Sequence, residues 1–221
     1  MKRLKLVHPL PLFPTLEQET ALWKVGYQQV AGLDEAGRGA LAGPVVAAAV
    51  ILPQDAEIIR RLSGVRDSKL MTPLQRQNWA LEIKQAALAW SIGTASHAEI
   101  DGVGIVPATH RAMLRALDNL AAPPHYLLID YLVLSGTQLP QIAMIKGDRV
   151  CLSIAAASVL AKTYRDELML GMDKEYPPYQ FARHKGYGTR KHYEILSAIG
   201  PCEIHRKTFR LKELLQAPLP G

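Results

Sequence analysis

Residues 34–39 read Asp34-Glu35-Ala36-Gly37-Arg38-Gly39, directly after a short apolar run, Val30-Ala31-Gly32-Leu33. Two adjacent carboxylates at the end of a buried strand are costly to take out of water, and a cation makes them tolerable there. The Gly-Arg-Gly turn leaves backbone N–H and C=O groups unshielded, so a ligand can come close to them. Acids fit to hold metal beside an open, cationic turn point to phosphodiester chemistry on a nucleic acid. The plainer alternative is a solvated Asp-Glu pair before a Gly-rich loop. Six such residues in a row leave little room for coincidence.

On either side of this segment, strand and helix patterns alternate. Residues 28–33 are predicted as a strand ending at the acidic pair, and 44–52 as the next strand. Gly37-x-Gly39-x-x-x-Gly43 therefore joins two strands, whereas a dinucleotide loop must open a helix. Upstream, residues 1 to about 15 read as a Pro-rich, loosely held arm, and 15–26 as a short helix with Thr15 as N-cap and Gln18 at the capping-box position. Downstream, Thr72-Pro73-Leu74-Gln75 opens a helix reaching about residue 87, and 89–94 is a third strand. Residues 107–120 form an amphipathic helix with Ala108, Ala112, Met113 and Ala116 on one face, ended by Pro123-Pro124. Residues 126–129 are a buried strand ending at Asp130; 141–145 are another, followed by Lys146-Gly147-Asp148. A long helix is expected over 151–171. Its first half is made of small residues that can approach a sheet closely, and its second half is polar. Pro177-Pro178 marks a break. Thr189 begins a further helix that stops at Gly200-Pro201, and the tail from Phe209 is expected to be helical before it frays. Taken alone, this pattern establishes a mixed α/β sheet.

The chain has 221 residues, 48% hydrophobic and 21% charged, enough for a sizeable core. Its net charge of +6 suits a polyanionic partner. Cys151 and Cys202 have no zinc spacing and read as reduced buried thiols of a cytoplasmic protein. The N-terminus, with Lys2, Arg3, Lys5 and Leu10-Pro11-Leu12-Phe13-Pro14, loosely imitates a signal peptide. His8 and the prolines interrupt its apolar core, and no small-residue cleavage site follows. The longest apolar stretches, 45–52 and 154–161, are too short to span a bilayer, so no membrane partner is expected.

Asp34, Glu35 and Asp130 stand at strand ends, and Asp148 precedes a helix start. Strand ends are where active sites of α/β sheets gather. Asp130 or Asp148 alone could be an ordinary strand terminator or N-cap. Four carboxylates balance two divalent cations, and hard oxygen ligands select Mg²⁺ or Mn²⁺ over zinc. Two such ions about 4 Å apart can activate a water and stabilise the leaving oxygen of a phosphodiester.

The hexapeptide resembles the signature of the type 2 ribonucleases H, the ribonuclease HII family. The sister type, ribonuclease HIII, typically has Ser where this chain has Ala36. The similarity extends over roughly residues 28–210. It includes Asp67-Ser68-Lys69, Ala155-Ala156-Ala157-Ser158-Val159-Leu160-Ala161-Lys162, Arg165-Asp166, His184-Lys185-Gly186-Tyr187-Gly188-Thr189 and Ile204-His205-Arg206-x-Thr208-Phe209. The resemblance implies a ribonuclease H-like fold: a five-stranded mixed sheet flanked by helices, with a small C-terminal helical section. It implies that Asp34, Glu35, Asp130 and Asp148 are the catalytic, metal-binding acids. The backbone of Gly37, Arg38 and Gly39 would read a ribose 2′-OH, the group that separates RNA from DNA. Tyr187 would pack on the sugar at an RNA-to-DNA junction. Ser68 and Lys69 would hold phosphate, and Lys162 and Lys185 would add salt-dependent affinity. Outside that resemblance, Tyr187 reads as an ordinary half-buried tyrosine and the lysines as solvated surface groups. Asp166 reads as structural, paired with Lys162 or Arg165. His110 and His125 read as scattered, without metal spacing.

The implied activity is endonucleolytic cutting of the RNA strand of RNA–DNA hybrids, and cutting 5′ of a single ribonucleotide in duplex DNA. The implied ends are 3′-hydroxyl and 5′-phosphate, and the implied roles are ribonucleotide excision and removal of primers or hybrids. The expected division is an arm and short helix over 1–27, a catalytic domain over 28–175, and a C-terminal section over 176–221 that completes the cleft. A monomer is expected. Two rivals stand beside this reading: a DNase of the same broad fold, with no use for a 2′-OH, and a catalytically dead hybrid-binding protein, which the presence of all four acids opposes. The chain departs from the family at Tyr131, where Gly often follows the third acid. Residues 214–221 lack the glutamine-plus-aromatic motif that ties some relatives to a sliding clamp, so a clamp partner is unsupported.

Overall fold

The computed structural model describes residues 11–209. The elements run α1 (Glu17–Lys24), β1 (Val30–Ala36), β2 (Val45–Ile51), α2 (Glu57–Arg61), α3 (Pro73–Ala86), β3 (Ala89–Ala95), α4 (His97–Val103), α5 (Ile105–Asp118), β4 (Tyr126–Asp130), β5 (Gln141–Met144), α6 (Leu152–Glu175), α7 (Phe181–His184) and α8 (Arg190–Ile199). The strands form one sheet in the order β3-β2-β1-β4-β5. β1 pairs antiparallel with β2, and β2 with β3. β4 runs parallel to both β1 and β5.

Strand alternation divides the core into two layers. Val46, Ala48 and Val50 of β2 face α6 and α3, together with Ala155, Ala156, Ala157 and Val159. Val45, Ala47, Ala49 and Ile51 face α5, with Ala108, Ala112, Met113 and Ala116. The apolar face predicted for 107–120 is thus the buried face of α5. Close contact between α6 and the sheet rests on small residues: a Cβ at Gly32 would lie 2.2 Å from the Ser153 carbonyl carbon. Thr72 and Gln75 make the expected capping box at the start of α3, a motif in which the cap alone contributes about 1 kcal/mol.

Several expectations need correction. The acidic pair does not follow β1 but lies inside it. Parallel pairing with β4 stops at Leu33↔Ile129, while antiparallel pairing with β2 continues to Ala36↔Val46. Asp34 and Glu35 are therefore held on one side and open on the other. Thr15 does not cap α1: the N-cap position is Leu16, with no side-chain cap. Instead Thr15 donates its N–H to the Val150 carbonyl and accepts from Leu152 N–H, so the described end of the arm is tied to the start of α6. The second half of α6 is polar as expected but not wholly exposed: Arg165 is fully buried and Thr163 is buried beside it. α4 was not anticipated. The N-terminal arm through Leu10 and the tail beyond Phe209, residues 214–221 included, lie outside the described residues; Lys207–Phe209 form one 3-10 turn. No described helix is long and apolar enough to cross a membrane.

Candidate active site

One carboxylate oxygen from each of Asp34, Asp130 and Asp148 lies within 4.8 Å of the others. Asp34 comes from β1, Asp130 from the end of the neighbouring β4, and Asp148 from the 3-10 turn Gly147–Arg149 before α6. Asp130 is fixed by Gly147, whose N–H donates to its Oδ1 at 2.6 Å. A Cβ at Gly147 would meet Ile154 Cδ1 at 2.7 Å and Asp130 Oδ1 at 3.4 Å, so a larger residue there would have to push the Ile154 side chain aside. Asp34 accepts from the Glu35 N–H at 2.7 Å and is also hydrogen-bonded to Ser158 of α6. Glu35 is not one of the trio. Its Oε1 lies 3.6 Å from Arg38, and its buried Oε2 has no hydrogen-bond partner.

Crowding raises all four acids. Burial and the charges of Glu35, Asp130 and Asp148 push Asp34 well above the usual carboxylate range. Burial pushes Glu35 to about 7, with Arg38 opposing. Burial and Asp130 push Asp148 to about 7. Asp130 also rises through burial, although the Gly147 N–H holds it back. Lys69 sits at the rim, its Nζ 3.9 Å from Asp148 Oδ2. Burial opposes its charge, but Asp148, Asp67, Asp34 and Asp130 together raise its pKa. Lys69 and Arg38, two cations, do not balance four acids. The orphaned Glu35 oxygen and the converging Asp oxygens fit hard divalent cations.

The turn beyond β1 is held from behind. Arg206 donates from Nη2 to the Gly37 carbonyl at 2.7 Å, from Nη1 to Arg38 at 2.9 Å and from Nε to Gly43 at 3.0 Å. Arg165 donates to Pro44, Ala42 and Lys185 carbonyls at 2.9, 3.0 and 2.9 Å. Gly37 has φ +89°, and a Cβ there would lie 1.9 Å from Arg165 Nε. Gly39 faces open space. Its φ is not positive, so the backbone-strain reason for glycine applies to Gly37 alone.

Tyr187 is brought to the same turn: its hydroxyl accepts from the Gly37 N–H at 3.2 Å. Its ring lies 5.0 Å from Lys162 Nζ and 5.1 Å from Arg165 Cζ. A groove of about 400 Å³ opens beside it, lined by Arg76, Lys162, Arg183, Lys185 and Tyr187 among others. Lys162 donates to Asp166 at 2.7 Å, and Asp166 accepts from Arg76 at 3.1 Å rather than from Arg165. Lys185 bonds the Ala182 carbonyl through its Nζ and adopts φ +52°. Ser68 is turned inward, its Oγ 2.9 Å from Ser158 Oγ. Lys69 is therefore the member of that pair left facing the cluster. Tyr131 stands next to Asp130 with φ +59°, and the Arg38 guanidinium lies 5.7 Å from its ring centre.

Beneath Tyr187 lies a histidine cluster with no counterpart in the sequence expectations. His192 donates from Nδ1 to the Tyr187 carbonyl at 2.9 Å, and His205 Nε2 lies 3.0 Å from His192 Nε2. His184 stacks on His192 with centroids 4.1 Å apart. The spacing of these histidines follows no helix or strand period, so no pattern announces them. His110 and His125 lie apart from the acids, as expected: His110 contacts Ser135, and His125 accepts from Gln29.

A five-stranded mixed sheet carrying clustered carboxylates where the pairing of two central parallel strands stops defines a nuclease of the ribonuclease H-like class. Residues 31–212 match the ribonuclease HII family. Ribonuclease HII of Roseiflexus castenholzii is 52% identical over 200 residues, covering 89% of this chain and 88% of that protein. Ribonuclease HII of Geobacter metallireducens is 50% identical over 208 residues, covering 91% and 95%. Among solved structures, ribonuclease H2 of Pyrococcus horikoshii superposes with a TM-score of 0.69 at 25% identity, covering 85% of this chain and 97% of that one. The chain belongs to the ribonuclease HII family and is a metal-dependent ribonuclease H.

Proposed function

We propose that the protein cuts the RNA strand of RNA–DNA hybrids and cuts 5′ of single ribonucleotides in duplex DNA, leaving 3′-hydroxyl and 5′-phosphate ends. The observation that carries this reading is the Asp34–Asp130–Asp148 cluster set directly beside the Gly37–Gly39 turn. Two Mg²⁺ or Mn²⁺ ions held by these acids and Glu35 would supply water activation and stabilisation of the leaving oxygen. The chain's own residues orient the substrate. Lys69 at the rim attracts the phosphate. The turn backbone discriminates ribose from deoxyribose, because only ribose offers a 2′-oxygen within its reach. The ring of Tyr187 packs on the next sugar. The basic groove beyond it, with Lys162 and Lys185, takes the phosphates that follow. The protein acts as a monomer in the cytoplasm.

Asp34→Asn and Asp130→Asn keep side-chain shape and remove a ligand charge. Each is expected to lower turnover on a hybrid in Mg²⁺ by at least ~10³-fold. Undiminished turnover by either would overturn the metal-site reading.

A further inference from the structure

Arg206 and Arg165 are both fully buried, and neither has an acidic partner within salt-bridge distance among the described residues. Burial pulls Arg206 down to about 9. What satisfies these two guanidiniums is backbone: six N–H groups bond six carbonyls, five of them in residues 37–44. Peptide planarity gives this a directional consequence. In a trans peptide the C=O of one residue and the N–H of the next point opposite ways. With the carbonyls of Gly37 and Arg38 drawn inward to Arg206, the N–H groups of Arg38 and Gly39 must point outward. Gly39 lies on that open side, where a Cβ would touch nothing.

The segment carrying Arg206 is itself clamped. Asp101 of α4 accepts from Lys207 N–H at 3.0 Å, Thr208 N–H at 2.9 Å and the Thr208 hydroxyl at 2.8 Å. The Arg206 N–H donates to the Leu41 carbonyl at 2.9 Å, and Gly43 N–H donates to Ile204.

We propose that Arg206 is a positioning residue for ribose recognition: it turns the N–H groups of Arg38 and Gly39 outward as paired donors to a 2′-oxygen, and Asp101 holds it in place. This rests on the functional reading above. Arg206 touches no substrate in this account; it acts through the turn.

The test uses the full chain and two duplexes, one with a central ribonucleotide and one all DNA. Binding is measured in an Asp34→Asn background that blocks cutting, and turnover in the wild-type background. Arg206→Lys keeps the charge but cannot reach three carbonyls at once. It is expected to lower the binding preference for the ribonucleotide duplex at least ~fivefold, and its turnover on that duplex at least ~tenfold, because a displaced phosphate reacts poorly. Mn²⁺ affinity, read by calorimetry with cutting competence intact, should stay within about twofold, since the acids are untouched. Asp101→Ala, a change at a half-buried residue of α4 outside the acid cluster, removes three hydrogen bonds and should lower the melt modestly while the protein stays folded and loses part of the same preference; it decides the matter if Arg206→Lys does not fold. Wild-type preference in a folded Arg206→Lys and in Asp101→Ala would overturn the proposal. So would loss of Mn²⁺ affinity in step with loss of preference, which would mean general collapse of the site. Absence of any preference in the otherwise unaltered protein would instead overturn the functional reading.

Discussion

The hydroxyl of Tyr187 accepts the N–H of Gly37 at 3.2 Å, across 150 residues of sequence. This bond joins the C-terminal section to the turn that follows the acidic strand. Tyr187 therefore has two separable parts: a hydroxyl that holds the turn and a ring that faces the groove. Tyr187→Phe removes the first and keeps the second. It should lower turnover on a single-ribonucleotide duplex only several-fold, as for a lost neutral hydrogen bond. Tyr187→Ala removes both and should lose about 10- to 100-fold on that substrate, the usual worth of a stacking platform. Equal activity of the alanine variant and the wild type would remove Tyr187 from substrate recognition.

The two glycines of the turn should behave differently. Gly37→Ala places a methyl in Arg165 at a positive φ and should destabilise the protein by about 2–4 kcal/mol, read in denaturant melts. Gly39→Ala meets no protein atom, so its melt should match wild type. Its methyl projects to the substrate side, and cleavage of the ribonucleotide should slow. Equal melts for the two variants would contradict this geometry.

Without divalent ions the acid cluster should work against folding. Glu35 and Asp148 are raised to about 7 from ordinary values near 4. A carboxyl raised in the folded state binds protons that the unfolded chain releases, so its stabilising effect is full at low pH and is lost as pH rises from about 4 through about 7. Asp148→Asn should melt higher than wild type at pH 8 in chelator, and the gain should shrink toward pH 4. A lower melt at pH 8 would show that the cluster is not strained by like charge.

The histidine cluster has the opposite sign. His192 and His205 are lowered to about 4 by burial, so the stability they permit is present above about 6.5 and is lost as pH falls toward 4. The partners fix the tautomers. His192 carries its proton on Nδ1 for the Tyr187 carbonyl, so its Nε2 accepts from His205 Nε2–H; His205 Nδ1 then accepts from Cys202 N–H at 3.0 Å. Nitrogen NMR should find these neutral tautomers unchanged at pH 5.5. Titration of either ring near 6.5 would contradict the arrangement.

Local signals carried much of this structure. The apolar runs before Asp130 and Asp148 and the capping box at Thr72 act through neighbours a few residues away, and each lies where its pattern indicated; the acidic pair is displaced only in that β1 runs on through it to Ala36. The Ser96–Glu99 capping box is equally local and opens α4, but the helix is short and Gly102 and Gly104 leave no apolar stripe of helical period behind it. What depended on distant partners was not legible. Thr15 looks like an N-cap, but the helix starts one residue later and the Thr15 backbone is paired to Val150 and Leu152, distant in sequence. Arg206 stands in a segment that resembles the family, yet nothing in an arginine announces burial against carbonyls. Gly37 and Gly39 look equivalent until Arg165 is seen behind one of them. Ser68 matches a phosphate-binding segment, but its hydroxyl is turned to Ser158.

The central claim is that the acids of β1 and β4 and the turn beside them form one device that cuts only where a 2′-oxygen is present. A duplex with a single ribonucleotide and its all-DNA counterpart, each incubated with the protein with and without Mg²⁺, tests it most directly. The account predicts one cut, 5′ of the ribonucleotide, only with the ion, leaving a 3′-hydroxyl and a 5′-phosphate. Cutting of the all-DNA duplex, or cutting of either duplex in chelator, would contradict it.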